Sequence, residues 1–392
     1  MAAILSLSFA GCKKNTQTPT DLTFIKDLGG PVLGNGIVGL YEEPSGNMVM
    51  YGNCLPYANV GQGTLVHSNY VSTLDQFGNL LNANGFDQAY SEACTFLHRF
   101  DGYYLTYGHA YLPTHIRRLD NNLNLIYDKA LNFHDSLSSK SSFFPLKMIP
   151  ANDGGWVIHY NLQDYGTSFQ YAGILKMDSS FSKTKWNINL GPGTPYSMVS
   201  TMDGYIVAYL DDFGTQWLEK VDNHSNVVWK IVPDPAPGNI PLNLFALNND
   251  SCLLIYEKQN HLNNYFANLA AVTVDHYGNT LNSYDLNTPV AVNSSYIGDA
   301  EMTADKGFIV TGARYGDLTN NMLLAKFDAN LHKQWENVFF SGAGGTAGYK
   351  VFPLRNGYLV AAASFGFGKG LVVDSLKAVN MLYKTDLNGQ VR

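Results

Sequence analysis

The sequence predicts an all-β fold, and two recurrences carry that prediction. The first is an Asp closing an apolar–basic–apolar stretch. It recurs as Asp75 in STLD, Asp120 in RRLD, Asp178 in LKMD, Asp222 in EKVD, Asp275 in VTVD, Asp328 in AKFD and Asp386 in YKTD. The second alternates strictly with the first and is a turn signal followed by aromatic and aliphatic residues. It reads SGNMVMYG from Ser45, DGYYLTYG from Asp101, DGGWVIHY from Asp153, DGYIVAYL from Asp203, NDSCLLIY from Asn249, DKGFIVTG from Asp305 and RNGYLVAA from Arg355. Asp-Gly before such alternation is a tight turn opening a strand. Asp followed by polar residues, often with Gly three on as in DQFGN, DHYGN and DLNGQ, is a turn between antiparallel strands. Its carboxylate accepts hydrogen bonds from turn amides, and Gly tolerates a positive φ. Trp186, Trp229 and Trp335 fall on the strand that follows. Each unit therefore reads strand, Asn/Asp-Gly turn, strand, variable loop, strand, Asp turn, strand. Seven units of roughly 50 residues predict a seven-bladed β-propeller of four-stranded antiparallel blades.

The two ends fit that prediction. The seventh unit stops at DLNGQVR, Asp386 to Arg392, without a fourth strand, while LTFIKDLGG, Leu22 to Gly30, precedes the first unit as an orphan strand. Pairing the two closes the ring and removes two exposed sheet edges. Composition agrees: 45% of the 392 residues are hydrophobic, Tyr (25) and Phe (21) are abundant, and 15% are charged. Aromatic side chains pack well on pleated surfaces. The net charge of -7 speaks against a nucleic-acid partner, which requires clustered Lys and Arg. No apolar run approaches the roughly 18 residues of a spanning helix.

The repeat pattern D-G-[G]-[YFW]-I-V … K-x-D-x-x-G-x-x-x-W resembles the propeller repeats common in bacterial secreted proteins and lipoproteins, and covers nearly everything after residue 22. It lacks the Gly-His … Trp-Asp pair of a WD40 array, and only Gly154-Gly155 offers the diglycine of a kelch turn. The N-terminal stretch MAAILSLSFAGC ends in Phe9-Ala10-Gly11-Cys12 and resembles the lipobox of bacterial lipoproteins. That resemblance implies cleavage before Cys12, diacylation of its thiol and a position in the cell envelope. No Lys or Arg precedes the apolar run; a start codon placed upstream would supply one. The expected organisation is a signal over residues 1–11, a lipidated tether over 12–21 and the propeller over 22–392, with the lipid as the only membrane contact. The Lys13-Lys14 pair lacks the acidic cluster of some surface-exported lipoproteins, which leans the expectation to the outer membrane without choosing a side.

Function is expected on the loops. Turns joining the first to second and third to fourth strands are tight and share one face. On the opposite face the connections are long and rich in Tyr, Phe, His, Asn and Gly, and rigid scaffolds present function on such loops. Candidate binding residues there are Tyr57, His67, Tyr111, His115, Tyr165, Phe169, Tyr265, Phe266, Tyr315, Phe365 and Phe367. Aromatics among Asn and Asp suit stacking on sugars or anchoring of a protein or peptide. Catalytic signals are poor: there is no GxSxG elbow, HExxH or EF-hand spacing. Glu92, Asp299 and Glu301 are inner-strand carboxylates, with Lys147 and Lys350 as basic companions, and offer a weak glycosidase or lyase alternative. No metal and no cofactor is expected. Of Cys54, Cys94 and Cys252, at least one cannot pair within the trio. The reading is a monomeric, non-enzymatic envelope lipoprotein that binds a protein, peptide or glycan.

Overall fold

The computed structural model describes residues 23–31, 36–53, 69–86, 92–109, 112–131, 141–164, 170–236, 238–247, 251–259, 266–291, 298–315, 320–339, 345–364 and 379–391, and among them every regular element is a β-strand. After β1 (Phe24–Pro31) come meanders of four antiparallel strands. The first is β2 (Ile37–Glu42), β3 (Met48–Gly52), β4 (Asn69–Leu74) and β5 (Leu80–Phe86). The second is β6 (Glu92–Arg99), β7 (Gly102–His109), β8 (Leu112–Leu119) and β9 (Leu125–Ala130). A seven-stranded sheet follows: β10 (Ser141–Pro150), β11 (Trp156–Asp164), β12 (Gln170–Met177), β13 (Thr184–Ser200), β14 (Gly204–Asp211), β15 (Gln216–Asp222) and β16 (Val227–Ile231). It is two meanders sharing one strand. The first half of β13 pairs with β12 and the second half with β14. Gly191 and Gly193, at φ 111° and 151°, let the strand change sheets between the two halves.

The next meanders are β17 (Ile240–Ala246), β18 (Cys252–Gln259), β19 (Phe266–Val274) and β20 (Thr280–Ala291), then β21 (Asp299–Met302), β22 (Phe308–Tyr315), β23 (Asn320–Phe327) and β24 (Lys333–Phe339). The last sheet joins β25 (Thr346–Leu354), β26 (Gly357–Ser364) and β27 (Val379–Thr385) to β1, which pairs antiparallel to β27 from Phe24↔Lys384 to Pro31↔Val379. The orphan strand thus joins the last sheet as the sequence predicts.

The core lies between successive sheets. Alternate residues of the β18 and β19 strands, such as Ile255 and Leu269, pack on Phe308, Val310 and Leu323 of the following sheet. The same kind of cluster ends with Leu359, Ala361 and Leu382 of the last sheet against Ile37, Met48 and Leu74 of the first. Arg355 adds polar contacts across that boundary: its backbone N–H donates to Glu42 at 2.8 Å, and its guanidinium donates to the Pro44 carbonyl at 3.1 Å.

The Asp and Trp anchors have explicit physical roles. In the turn after β19, Asp275 Oδ1 accepts from the amides of Tyr277 and Asn279 at 2.9 and 2.8 Å, and Oδ2 from the Asn279 side chain. Asp75, Asp120 and Asp222 make the same three bonds in their turns; burial acts to raise the carboxyls of Asp75 and Asp222, and less so that of Asp120, but the bonds together outweigh it and hold all three below the usual range. The turn so fixed becomes a socket for the preceding sheet. Trp186 donates its indole N–H to the Asn223 carbonyl at 3.1 Å, and Trp229 to the His276 carbonyl at 2.9 Å. A Cβ at Gly278 would lie 3.0 Å from the Trp229 ring, so the bare glycine at φ 87° makes room for the indole.

The Lys of the repeat is buried and faces its own unit's Asp-Gly turn. Lys176 pairs with Asp153 at 2.9 Å, Lys220 with Asp203 at 2.8 Å and Lys326 with Asp305 at 2.9 Å, and Arg118 pairs with Asp101 at 3.0 Å. A buried ammonium is costly without such a partner, and Lys384 of the last sheet, which has no Asp at its turn, donates to the Gln76 carbonyl at 3.0 Å instead. The Asp-paired Lys residues each lie across the strand register from the Trp: Lys176↔Trp186, Lys220↔Trp229, Lys326↔Trp335.

Phe24 of β1 stands across from Lys384 in the same place, and a Cβ at Gly78 of the first sheet's turn would lie 2.5 Å from its ring. Removing residues 23–31 therefore deletes both the last strand and the aromatic plug. The expected outcome is a large drop in melting temperature and fast amide exchange along β27. Phe24→Ala alone should cost about 2 kcal/mol, the scale for a partly buried aromatic. Unchanged thermal melts for both variants would show that β1 does not hold the last sheet.

Candidate functional site

The first strands of successive units, β2, β6, β10, the second half of β13, β17, β21 and β25, contact one another in turn and line the centre. On β2, β6, β10, β13, β17 and β25 a register slip interrupts pairing to the second strand. Such a bulge re-aims the residue that follows it. Those residues are Gly39, Thr95, Lys147, Ser197, Asn243 and Lys350, and Asp299 takes the equivalent place opposite Thr311. One level of the centre is thereby furnished with polar groups on one side and with Gly39 and Thr95 on the other.

These groups form a connected network. Lys147 Nζ donates to Ser197 Oγ at 3.1 Å and to Asn243 Oδ1 at 3.2 Å. Ser197 Oγ donates to Asn243 Oδ1 at 2.6 Å and accepts from the Leu244 amide at 3.1 Å. Asn243 Nδ2 donates to the Ala300 carbonyl at 2.7 Å and reaches Glu301 Oε1 at 3.5 Å. Lys350 Nζ pairs with Asp299 Oδ1 at 3.1 Å, and the Val351 amide donates to Asp299 Oδ2 at 3.1 Å.

Burial and charge shape the titration. Burial pushes the Glu301 carboxyl up to about 7, with the Asp299 charge adding to it and Lys147 and Lys350 opposing. Burial lowers the Lys147 pKa. Burial acts to lower Lys350 too, but Asp299 and Glu301 outweigh it and hold its pKa above the ordinary lysine value. His159, across the register from Lys147, is fully buried, and burial takes its pKa to about 3, so the imidazole is neutral. Further along β18, burial raises Glu257 to about 7 although the Gly298 amide donates to it, and the Tyr196 hydroxyl nearby is pushed up to about 12 by burial and by that carboxylate.

The structure thus brings together Asp299, Glu301, Lys147 and Lys350, which the sequence singled out, and adds Ser197, Asn243 and Glu257, which it did not. Glu92 lies at the start of β6, Phe266 at the start of β19 and Tyr315 at the end of β22. His115 is not a loop residue. His109 pairs with Leu112, so only two residues lie between β7 and β8, and His115 sits on β8. There its Nδ1 meets Asp128 at 2.8 Å and its ring stacks on Tyr107, whose hydroxyl also donates to Asp128 at 2.6 Å, while Arg117 completes the cluster. The side chain serves the sheet, because pairing here extends further than the Gly, Pro and His content suggests. Tyr57, His67, Tyr111, Tyr165, Phe169, Tyr265, Phe365, Phe367, Cys54 and Cys12 lie outside the described residues. Cys252 is a core thiol pushed up to about 12 by burial. Among the described residues no group of His, Cys, Asp and Glu is arranged to hold a metal, and no helix is long and apolar enough to cross a membrane.

No protein-family model and no curated protein matches the chain. Solved structures do. BBS1N in complex with ARL6DN is similar over 95% of this chain and 99% of that one, at 12% identity and a TM-score of 0.55. The chain is a repeat β-propeller. A chain of the mitotic checkpoint complex is similar over 98% and 99%, at 9% identity and a TM-score of 0.50. A puromycin hydrolase is similar over 84% of this chain and 50% of that one, at 8% identity and a TM-score of 0.53. At these identities the likeness is one of fold.

The raised Glu257 carboxyl yields a stability prediction. Its folded pKa of about 7 exceeds the ordinary 4.5, so the folded state binds the extra proton. Stability then falls as pH rises from about 4.5 to about 7. Glu257→Gln should remove that loss, gaining on the order of 2–3 kcal/mol at pH 8 and little at pH 4. Denaturant melts at the two pH values check it; an equal effect at both would mean that folding does not raise the Glu257 pKa.

Proposed function

We propose that this propeller is seven-bladed, with β1 closing the ring, and that it is a non-enzymatic binding or scaffold module. On this reading it is held in the cell envelope by a lipid on Cys12 and presents its loop face to a protein, peptide or glycan. The observation that carries the reading is the inequality of the two faces. Turns between first and second and between third and fourth strands close within a few residues, as at Asp222–Asn226. The opposite face holds the wider connections, such as that between β3 and β4. A rigid ring with one elaborated face is built for recognition. Two similar folds, BBS1N with ARL6DN and the mitotic checkpoint chain, occur in protein complexes, which supports the scaffold reading.

The central carboxylates favour binding over catalysis. Both oxygens of Asp299 are committed, one to Lys350 and one to a backbone amide. Glu301 keeps a second reading alive: a carboxyl near pH 7 beside a lysine is suited to general acid work on a glycan. The puromycin hydrolase likeness lends that reading its weight as a fold that also carries hydrolases.

The Cys12→Ala chain tests both the anchor and the ligand class. Released from the membrane fraction, it supports the lipid anchor; membrane association equal to wild type removes it. Applied to a glycan and polysaccharide array, the released chain should retain ligand without forming product, or bind an envelope protein in pull-down. Product formation that is lost in Glu301→Gln would overturn the non-enzymatic reading.

A further inference from the structure

One boundary between sheets departs from the repeat, and a cavity stands there. Where Trp229 lies across from Lys220, the next unit has Asn282 across from Thr273. Neither the indole nor the long ammonium side chain is present. The turn facing them is that of Asp328, and its fourth residue is Leu331 at φ 67° where Gly278 and Gly389 stand in equivalent turns. The space left is a cavity of about 440 Å³ opening at the tight-turn rim, lined in part by Phe245, Leu253, Tyr284, Phe308 and Leu331. This lies within the roughly 300–1,000 Å³ of small-molecule sites. Thr273 and Ala329 also line it.

The occupant is specified by the neighbouring units. In their equivalent slots an indole lies between the sheets and donates its N–H to the carbonyl of the residue after the turn Asp. Here that residue is Ala329, in the Asp328 turn held by the amides of Asn330 and His332. Lys306, exposed at the cavity, makes no ion pair among the described residues and supplies a cation. We propose that this cavity binds an indole ring carrying a carboxylate arm, with the ring in the vacant Trp slot and the carboxylate at Lys306. The site is on the face opposite the long loops and is independent of the function proposed above. The shared chemistry is that of a free indole acid or of a peptide ending in Trp.

The test titrates the full chain with indole-3-propionate, with uncharged indole-3-acetamide and with a short peptide ending in Trp, followed by calorimetry and saturation-transfer NMR. Saturable binding of the acid in the millimolar range or tighter is expected. A peptide affinity at least tenfold above the acid assigns the natural source to peptides; equal affinity assigns it to small acids. Asn282→Trp combined with Leu331→Gly rebuilds the native Trp–Gly pairing, fills the slot from within and should abolish binding while the melting temperature holds or rises. Lys306→Gln, an exposed change that leaves the fold intact, should weaken the acid several-fold and leave the acetamide unchanged. Absence of saturation with all three probes overturns the proposal. So does undiminished binding in the filled variant, or, should that variant not fold, equal affinity of wild type and Lys306→Gln for the acid.

Discussion

The ring depends on one contact repeated from sheet to sheet: an aromatic side chain on a fourth strand seated on the Asp-held turn of the next unit. Apolar burial drives the sheets together, but it is non-directional and does not fix their relative rotation. The turn supplies direction. Its Asp saturates two amides and so forces the fourth residue to a positive φ, which exposes a carbonyl and, where that residue is Gly, a bare Cα. Trp229 uses both features at once, packing on Gly278 and donating to the His276 carbonyl. At the junction of last and first sheets the aromatic comes from the other end of the chain, and Phe24 on Gly78 repeats the packing without the hydrogen bond.

Departures from this contact are concerted. Two units carry Thr in place of the buried Lys, at Thr73 and Thr273, and both carry Asn in place of Trp, at Asn82 and Asn282. The turns that face them carry Leu in place of Gly, at Leu123 and Leu331, each at positive φ. A Leu in the left-handed region is strained, and the compensation is that it reaches into the space the Trp left. At the first such boundary the filling is helped by Tyr41 stacked on His98 at 3.6 Å beside Leu123. At the second, Leu331 fills the slot only in part and the cavity remains.

What the sequence made legible was local. Asp turns and Asp-Gly turns are written within five residues, so their positions and their hydrogen bonds could be anticipated, and the missing last strand pointed to β1. The pairing of each Lys with the Asp-Gly Asp was not legible, because the two lie about 20 residues apart and meet only through strand register. Lys147, Lys350, Asp299 and Glu301 could be picked out as charges on inner strands, but not their partners. Ser197, Asn243 and Glu257 carry no composition signal. Ser197 and Asn243 stand where Lys147 does, four residues before the first residue of the tight turn, and an alignment of the units on that spacing places the three together. His115 misled because Gly, Pro and two His in one segment suggest a loop, whereas its imidazole is spent on Asp128.

The polar centre joins the first strands of several units through side chains. Lys147, Lys350, Asp299 and Glu301 pair two cations with two carboxyls, and Ser197 and Asn243 link Lys147 to the Ala300 carbonyl. Most of these bonds tie one first strand to the next, and the Lys147–Asn243 bond reaches across the strand between them. Such a network favours one arrangement of these strands, since losing Lys350 would leave the buried Asp299 carboxylate without its ion pair. Among the described residues the repeat stops being complete away from this centre, at the slot by Asn282 that no Trp fills.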